Sequence, residues 1–498
     1  MNETSTTRVG TGMALPDGLL ALIPDYLAHQ RWFSGSGTPE LGSLHVVDAG
    51  ELAVTAGGWH QLLWAIVSVD SPTGGEAPPP AALGEADEPD AADAAAAGSG
   101  DGPTGAPAAR YQLLIGARPN GERAEFLNGH EPSVLGSVGD RYYYDATVDS
   151  EMSLAWLQVI TESAVAADRV RPVTAEQSNT SLVYDDRLIA KIFRRLHEGP
   201  NPDIEVTEAL AGVDFAHVAE PVAVWRSGAT DLAFVQRFLV GGTEGWALAL
   251  TSLRDLYSVR PDDPREAGGD FAHEASRLGR MTAEMHLAMA QAFGVDRDRF
   301  RTDGWPGVLD EVEEQLRAVV GAAYSGSAEH LLDQLRTVVD PGPAIRTHGD
   351  YHLGQVMRTD TGWFVLDFEG EPARGMAERT AFTSPFKDVT GMLRSLQYAT
   401  HFALLEREQH EQEELSVLAD VWERHNREAF LDGYFATPGI LALLPSGPDD
   451  RAAVTLAFEL QKALYELAYE QAYRPGWVAI PEAAIQRILA GSYGGPDG

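Results

Sequence analysis

No cysteine occurs in this 498-residue chain. Disulfides, thiolate nucleophiles and Cys-ligated metals are therefore excluded. Long apolar runs are missing too: no stretch reaches the roughly eighteen consecutive apolar residues of a membrane-spanning helix. The N-terminal Met1–Val9 is polar, carries one Arg and lacks the apolar core of a secretory signal, so a soluble cytoplasmic protein is expected. Positive charge is scarce, with 37 Lys and Arg against 74 Asp and Glu, a net −37. Such a surface repels nucleic acid and anionic lipid, so neither is an expected partner. An anionic nucleotide is still admissible where a local cation neutralises its phosphates. Two familiar nucleotide signatures are absent: there is no Gly-x-x-x-x-Gly-Lys-Ser/Thr phosphate loop and no usable dinucleotide fingerprint.

Apolar residues make up 44% of the chain, enough for full-sized cores, and the length predicts several domains. Leu19–Ile23 with Tyr26 and Leu27 repeats at helical spacing. Ser43–Val47, Gln61–Val69 and Tyr111–Ile115 are strand-like. Between them, Ser71–Ala109 is rich in Pro, Ala, Gly and acids and has no basic residue before its end, which predicts a disordered insertion. A helix is expected around Ser150–Ala166. A hairpin is expected over Ser181–Tyr184 and Arg187–Phe193, turning at Asp185-Asp186. Asn201-Pro202-Asp203 opens a further helix. Val222–Trp225 and Leu232–Phe238 follow as strands. After Gly241-Gly242 the pattern is helical, interrupted by one short strand, Trp363–Asp367. A small β-rich lobe followed by a larger helical lobe, with a nucleotide between them, is the α+β architecture of a two-lobed kinase.

The chemistry concentrates in Thr347-His348-Gly349-Asp350-Tyr351-His352-Leu353-Gly354-Gln355 and Asp367-Phe368-Glu369. A carboxylate on a Gly-relaxed turn, Asp350, can accept the proton of an attacking alcohol. Alone, His-Gly-Asp equally suits a helix cap. A carboxamide at Gln355 and a second carboxylate at Asp367 supply hard oxygens of the kind Mg²⁺ takes alongside phosphate oxygens. Lys191, in the apolar strand Leu188–Phe193, needs a phosphate or an acid. Glu205 in the next helix is the expected partner, with Glu208 second. Glu176–Ser181, including Gln177, Ser178 and Asn179, is small and polar enough to turn over phosphates, although it lacks the glycines of a protein-kinase loop. The stretch from Gln236 through Phe238 to Val240, followed by two glycines, suits a hinge whose backbone binds adenine.

These pieces together resemble the actinobacterial maltokinase family of aminoglycoside-phosphotransferase-like kinases. The matching text includes Lys191–Arg195, Asn201–Asp203, Gly245–Ala247, His348–Val356, Asp367–Arg374, Gly391–Ser395 and Arg474-Pro475-x-Trp477. The resemblance covers the chain outside Ser71–Ala109. It implies a protein-kinase-like fold with an N-terminal β-rich cap domain at 1–125, carrying the insertion 71–109. An intermediate β-rich ATP-binding lobe at 126–240 and a helical catalytic and sugar-binding lobe at 241–498 would follow. It also implies ATP and Mg²⁺, with Asp350 as base, Gln355 and Asp367 as metal ligands and Lys191 on phosphate. Many kinases of this class have Asn where Gln355 stands; the maltokinase group has Gln.

Within that resemblance the acceptor is a sugar or amino sugar and the expected state a monomer. Maltokinases make maltose 1-phosphate, and a related group phosphorylates glucosamine at the 6-hydroxyl. Asp350 and His348 are expected to face the acceptor, together with the helix Glu459–Trp477. There Gln461, Tyr465 and Tyr469 recur every four residues, as do Lys462, Glu466 and Glu470, and Trp477 closes the segment. One face offers an amide and rings; the next offers carboxylates for an ammonium, although Lys462–Glu466 equally suits a surface ion pair. Gln461 stands where maltokinases have Asp, Ala472-Tyr473 precedes Arg474, and Gln397 replaces an Asp. These departures lie in the acceptor half and favour glucosamine over maltose. An antibiotic kinase or a nucleotide-binding protein without catalysis are the other readings.

Overall fold

The structure is a computed structural model that describes residues 5–8, 13–35, 37–55, 59–70, 108–122, 125–173, 179–261, 265, 269–319, 325–371, 374–405 and 407–491. Residues 71–107 of the expected insertion, and Glu176, Gln177 and Ser178 of the expected phosphate turn, lie outside that set. The chain forms two compact units. The first holds described residues up to 205 together with 219–240, and the second holds 206–218 and those from 241 onward. Among the described residues no helix is long and apolar enough to cross a membrane.

The first unit is built on two sheets. Its elements are β1 (Ser5–Arg8), α1 (Ile23–Ala28), β2 (Leu44–Thr55), β3 (His60–Val69), β4 (Ala109–Pro119), β5 (Val134–Val138), β6 (Arg141–Asp145) and α2 (Ser150–Ile160). They continue with β7 (Val170–Pro172), β8 (Asn179–Tyr184), β9 (Leu188–Phe193), β10 (Arg195–Leu196), the start of α3 (Pro202–Gly212), β11 (Pro221–Ser227) and β12 (Thr230–Arg237). One sheet runs β2-β3-β4-β6-β5, with β10 pairing β4; the other runs β1-β11-β12-β9-β8-β7. Alternation along β3 explains its two-sided burial. Leu62, Trp64 and Ile66 join the cluster of Ala190, Ile192, Trp225 and Phe234, while Leu63, Ala65 and Val67 join that of Ile23 and Leu27. The β8–β9 turn falls at Asp185 and Asp186, both at φ +52°, the left-handed pair that a tight hairpin requires.

Two boundaries differ from those expected from the sequence. A break at 125/126 would cut through one hydrogen-bonded sheet: β6 pairs with both β4 and β5, so the N-terminal sheet runs on to Asp145. The expected insertion also ends earlier than Ala109, which already opens β4 and pairs with Val69.

The second unit is mostly helical. It contains the end of α3, then β13 (Thr243–Glu244), α4 (Gly245–Val259), α5 (Ala272–Phe293), α6 (Trp305–Val319), α7 (Ser325–Arg336), β14 (Ile345–Arg346), β15 (Val356–Thr359) and β16 (Gly362–Val365). These are followed by α8 (Met376–Arg379), β17 (Phe382–Thr383), α9 (Phe386–Leu405), α10 (Gln409–Phe435), α11 (Pro448–Tyr473) and α12 (Ala479–Leu489). Helices α5, α9, α10 and α11 share one apolar core that includes Met285, Leu393, Phe430 and Leu464. The single expected strand is instead part of a three-stranded sheet, β13-β15-β16, with a second small pair, β14–β17. The β15–β16 hairpin and β14 are the elements that position the site.

Candidate active site

The loop after β14 is held from below by Asp388, in the first turn of α9. Its carboxylate accepts the backbone N–H of His348 at 2.8 Å and of Gly349 at 2.9 Å, and it lies 3.1 Å from His286 Nε2. Burial pushes the Asp388 carboxyl up, but His286, His348 and the Gly349 amide pull it further down, so it sits below the ordinary carboxylate value. Gly391, one turn further along α9, lets the helix approach this loop: a Cβ there would stand 2.6 Å from the Tyr351 carbonyl oxygen. Gly349 turns at φ +90°, a conformation open to glycine without a Cβ penalty. Tyr351 Oη lies 2.9 Å from Thr282 Oγ1, and Ser395 Oγ accepts the Leu353 N–H at 3.1 Å. The Asp350 carboxylate thus stands on a loop tied to two helices.

Hairpin geometry gathers the expected metal ligands. Val356 pairs with Val365, and the Gln355 carbonyl accepts the Leu366 N–H at 2.9 Å, so Gln355 and Asp367 stand at the same end of β15–β16. Asp367 lies past the strand it was expected to close, at φ +57°. This left-handed turn brings a Glu369 carboxylate oxygen within 4.8 Å of one from Asp367. Glu369 was passed over as a site residue, although it ends the Asp-Phe-Glu motif. An amide oxygen and two carboxylates are hard donors, and this set fits Mg²⁺.

His348 has a different place from the one expected. It is buried, donates from Nε2 to the Leu366 carbonyl at 2.9 Å and accepts the Asp350 N–H on Nδ1 at 3.4 Å. Both ring nitrogens thereby fasten the Asp350 loop to the Asp367 segment, and His348 is not among the residues lining the Asp350 pocket. His352 accepts the Gly354 N–H and caps the short turn that delivers Gln355.

Asp350 opens onto a small, partly open polar pocket. Helix α11 forms one wall through Phe458, Gln461, Lys462 and Tyr465, the i, i+3, i+4, i+7 set of one helical face. Glu371, Arg374, Lys387 and Thr390 contribute the rest of its polar lining. Gln461 and Tyr465 line the same pocket as Asp350, and Gln461 Nε2 donates to Glu311 at 2.6 Å. The other members of the helix do not line this pocket. Arg394 of α9 donates to Glu466 at 2.8 and 2.5 Å and also holds Gln397. Glu470 takes Arg474 at 2.8 Å and Tyr398 at 3.2 Å; burial pushes its pKa up to about 7 against the pull of Arg474. Tyr469 packs between Tyr465 and Tyr473, and Trp477 against Tyr398 and Phe402. Glu466, Glu470 and Trp477 thus meet α9, where buried Arg394 pairs with Glu466, while partly exposed Arg474, at the end of α11, pairs with Glu470.

The remaining expected residues belong to the first unit. Lys191, on β9 between Ser181 and Phe234, places Nζ 3.5 Å from Asp203 Oδ2. Asp203 is an acid in the first turn of α3, two residues before the expected Glu205. Asn201 starts that helix by accepting the Asp203 N–H at 2.8 Å. Asn179 opens β8 opposite Phe193. Gln236 pairs with Ile189, the Phe238 N–H donates to the Arg187 carbonyl, and Val240 is exposed.

Residues 169–453 match the sequence profile of the Phosphotransferase enzyme family (APH). A glucosamine kinase of Mycolicibacterium smegmatis is 28% identical over 335 residues, covering 64% of this chain and 79% of that protein. A glucosamine kinase of Streptacidiphilus jiangxiensis is 27% identical over 341 residues, covering 64% and 73%. Among solved structures, a glucosamine kinase in complex with glucosamine, ADP and inorganic phosphate superposes with a TM-score of 0.61 at 18% identity, over 96% of this chain and 100% of that one. With more than half its length matched, and an α+β kinase-like fold around Asp350, Gln355 and Asp367, this chain belongs to the Phosphotransferase enzyme family.

Proposed function

We propose that this protein transfers the γ-phosphoryl group of ATP to the 6-hydroxyl of glucosamine. The observation that carries this reading is Asp350: a buried carboxylate on a braced loop, opening onto a polar pocket whose α11 wall is an amide, an ammonium and a ring. As the acceptor oxygen bonds to phosphorus, its proton passes to Asp350, the bond to the bridging oxygen breaks, and ADP leaves. Gln461 and Tyr465 orient the sugar. Gln355, Asp367 and Glu369 would hold Mg²⁺, which neutralises charge on the phosphates when bound. From the first unit, Lys191 takes phosphate charge. Asn179 with Gln177 and Ser178 covers the phosphates, and the backbone of Gln236–Val240 meets the adenine. Glu205 supports the lysine. An ATP donor calls for a cytoplasmic setting.

Glucosamine is supported by the two relatives of that name and by Gln461 in the pocket wall. The experiment is side-by-side kcat/KM on glucosamine, glucose and maltose with ATP and Mg²⁺. Glucosamine is expected to lead; comparable values for all three would defeat a dedicated acceptor.

A further inference from the structure

An ion pair with Glu466 was one of two readings for Lys462, but Glu466 takes Arg394 and Lys462 reaches Asp350 and Glu371 instead. Its Nζ lies 3.4 Å from Asp350 Oδ1 and 3.4 Å from Glu371 Oε1, and 5.1 Å over the Tyr465 ring. The side chains of Asp350 and Glu371 are 7% and 5% exposed. Two buried carboxylates facing one pocket repel, and without a cation one of them would take up a proton. Further charges alternate outward. Arg374 donates to Glu371 at 3.1 Å and to Glu311 at 2.7 Å, and Glu311 accepts from Gln461.

We propose that Lys462 is a positioning residue for the base: it keeps Asp350 ionised, engages Oδ1 and leaves Oδ2 for the acceptor hydroxyl. The inference rests on the reading of Asp350 as base. The groups around Asp350 are His348 and His352 on its own loop, Glu371 and Arg374 beyond the hairpin, Lys387 on α9, and Lys462 and Tyr465 on α11. Burial raises the Asp350 carboxyl, while Lys462 first, then the two histidines, lower it; the net direction is downward. Wild-type Asp350 therefore stays a competent base down through the ordinary carboxylate range. Without Lys462 burial dominates, and the base is lost at higher pH.

The test has two readouts. Carbonyl-¹³C-labelled aspartate, with the Asp350 signal assigned by its loss in D350N, reports ionisation of that carboxyl independently of turnover. The pH profile of kcat/KM reports its use. In wild type the carboxyl should titrate below the ordinary value; titration at or above it overturns the proposal without any variant. In K462M both the carboxyl and the acid limb of the profile should move up by about one to three pH units. K462R should restore them, which repair of packing alone would not do. A folded K462M with an unmoved carboxyl, or a K462R shifted as far as K462M, contradicts the proposal. Full turnover in D350N would instead refute the base assignment while leaving the lysine's effect on the carboxyl measurable.

Discussion

Asp388→Ala should be the most damaging single change that leaves every substrate-facing group in place. It removes the acceptor of the His348 and Gly349 N–H groups and the partner of buried His286. Each buried donor left unsatisfied costs about 1–3 kcal/mol. With one of the two amides only partly buried, and a buried ionic contact also broken, the total is about 3–5 kcal/mol. Thermal unfolding should fall by on the order of 6–20 °C, scaled from domains of comparable size. Asp350 is one residue beyond these amides, so loosening the loop by about 1 Å should also cost roughly a hundredfold in kcat. Asp388→Asn keeps one acceptor oxygen and should fall between wild type and Ala. The folded Asp388 carboxyl lies below its ordinary value. Its charge-dependent stabilisation is therefore full above that ordinary value and lost as pH falls through the folded one. Calorimetry at pH 7 with steady-state kinetics decides the matter. A midpoint within about 2 °C of wild type, or unchanged kcat, would refute the claim that Asp388 holds the loop.

Three further outcomes are expected. Lys191→Met should raise KM for ATP at least about tenfold, by loss of a charge-assisted phosphate contact, with little change in KM for the acceptor; equal changes in both would oppose its assignment. Gly391→Ala should lower stability by about 1–3 kcal/mol and reduce kcat, because a Cβ 2.6 Å from the Tyr351 carbonyl forces α9 away from the loop; denaturant titration and kinetics check both. Glu470 has a folded pKa of about 7, above its ordinary value. Its ionisation therefore opposes folding increasingly as pH rises toward and past 7. Glu470→Gln should stabilise the protein more at pH 8 than at pH 5, by up to about 3 kcal/mol. The same difference at both pH values would refute that sign.

Local chemistry was the legible part of this chain. Asp185-Asp186 marked the hairpin because two left-handed residues in succession have few tolerable choices. Asp350, Gln355 and Asp367 could be singled out because they fall within one loop and the hairpin that follows it in the chain. Asp388 and Lys462 were not, since each acts on the loop from a helix 38 and 112 residues away from Asp350 by the numbering of the chain. Helical spacing also misled at Glu466 and Glu470. It correctly put them on one stripe, but whether that stripe meets sugar or α9 depends on Arg394, which periodicity cannot place. The sheet boundary near residue 125 failed for a related reason: β5 and β6 belong with β4 through hydrogen bonds, and composition does not record pairing.

If Asp350 accepts the proton of a glucosamine hydroxyl as phosphate is transferred from ATP, its carboxylate is indispensable to product formation. Phosphorus NMR of the product formed from glucosamine, ATP and Mg²⁺ by wild-type enzyme and by Asp350→Asn tests it most directly. Wild type should give stoichiometric glucosamine 6-phosphate and ADP, and the variant should leave ATP intact. No phosphorylated sugar from wild type, or the same product at the same rate from Asp350→Asn, would contradict it.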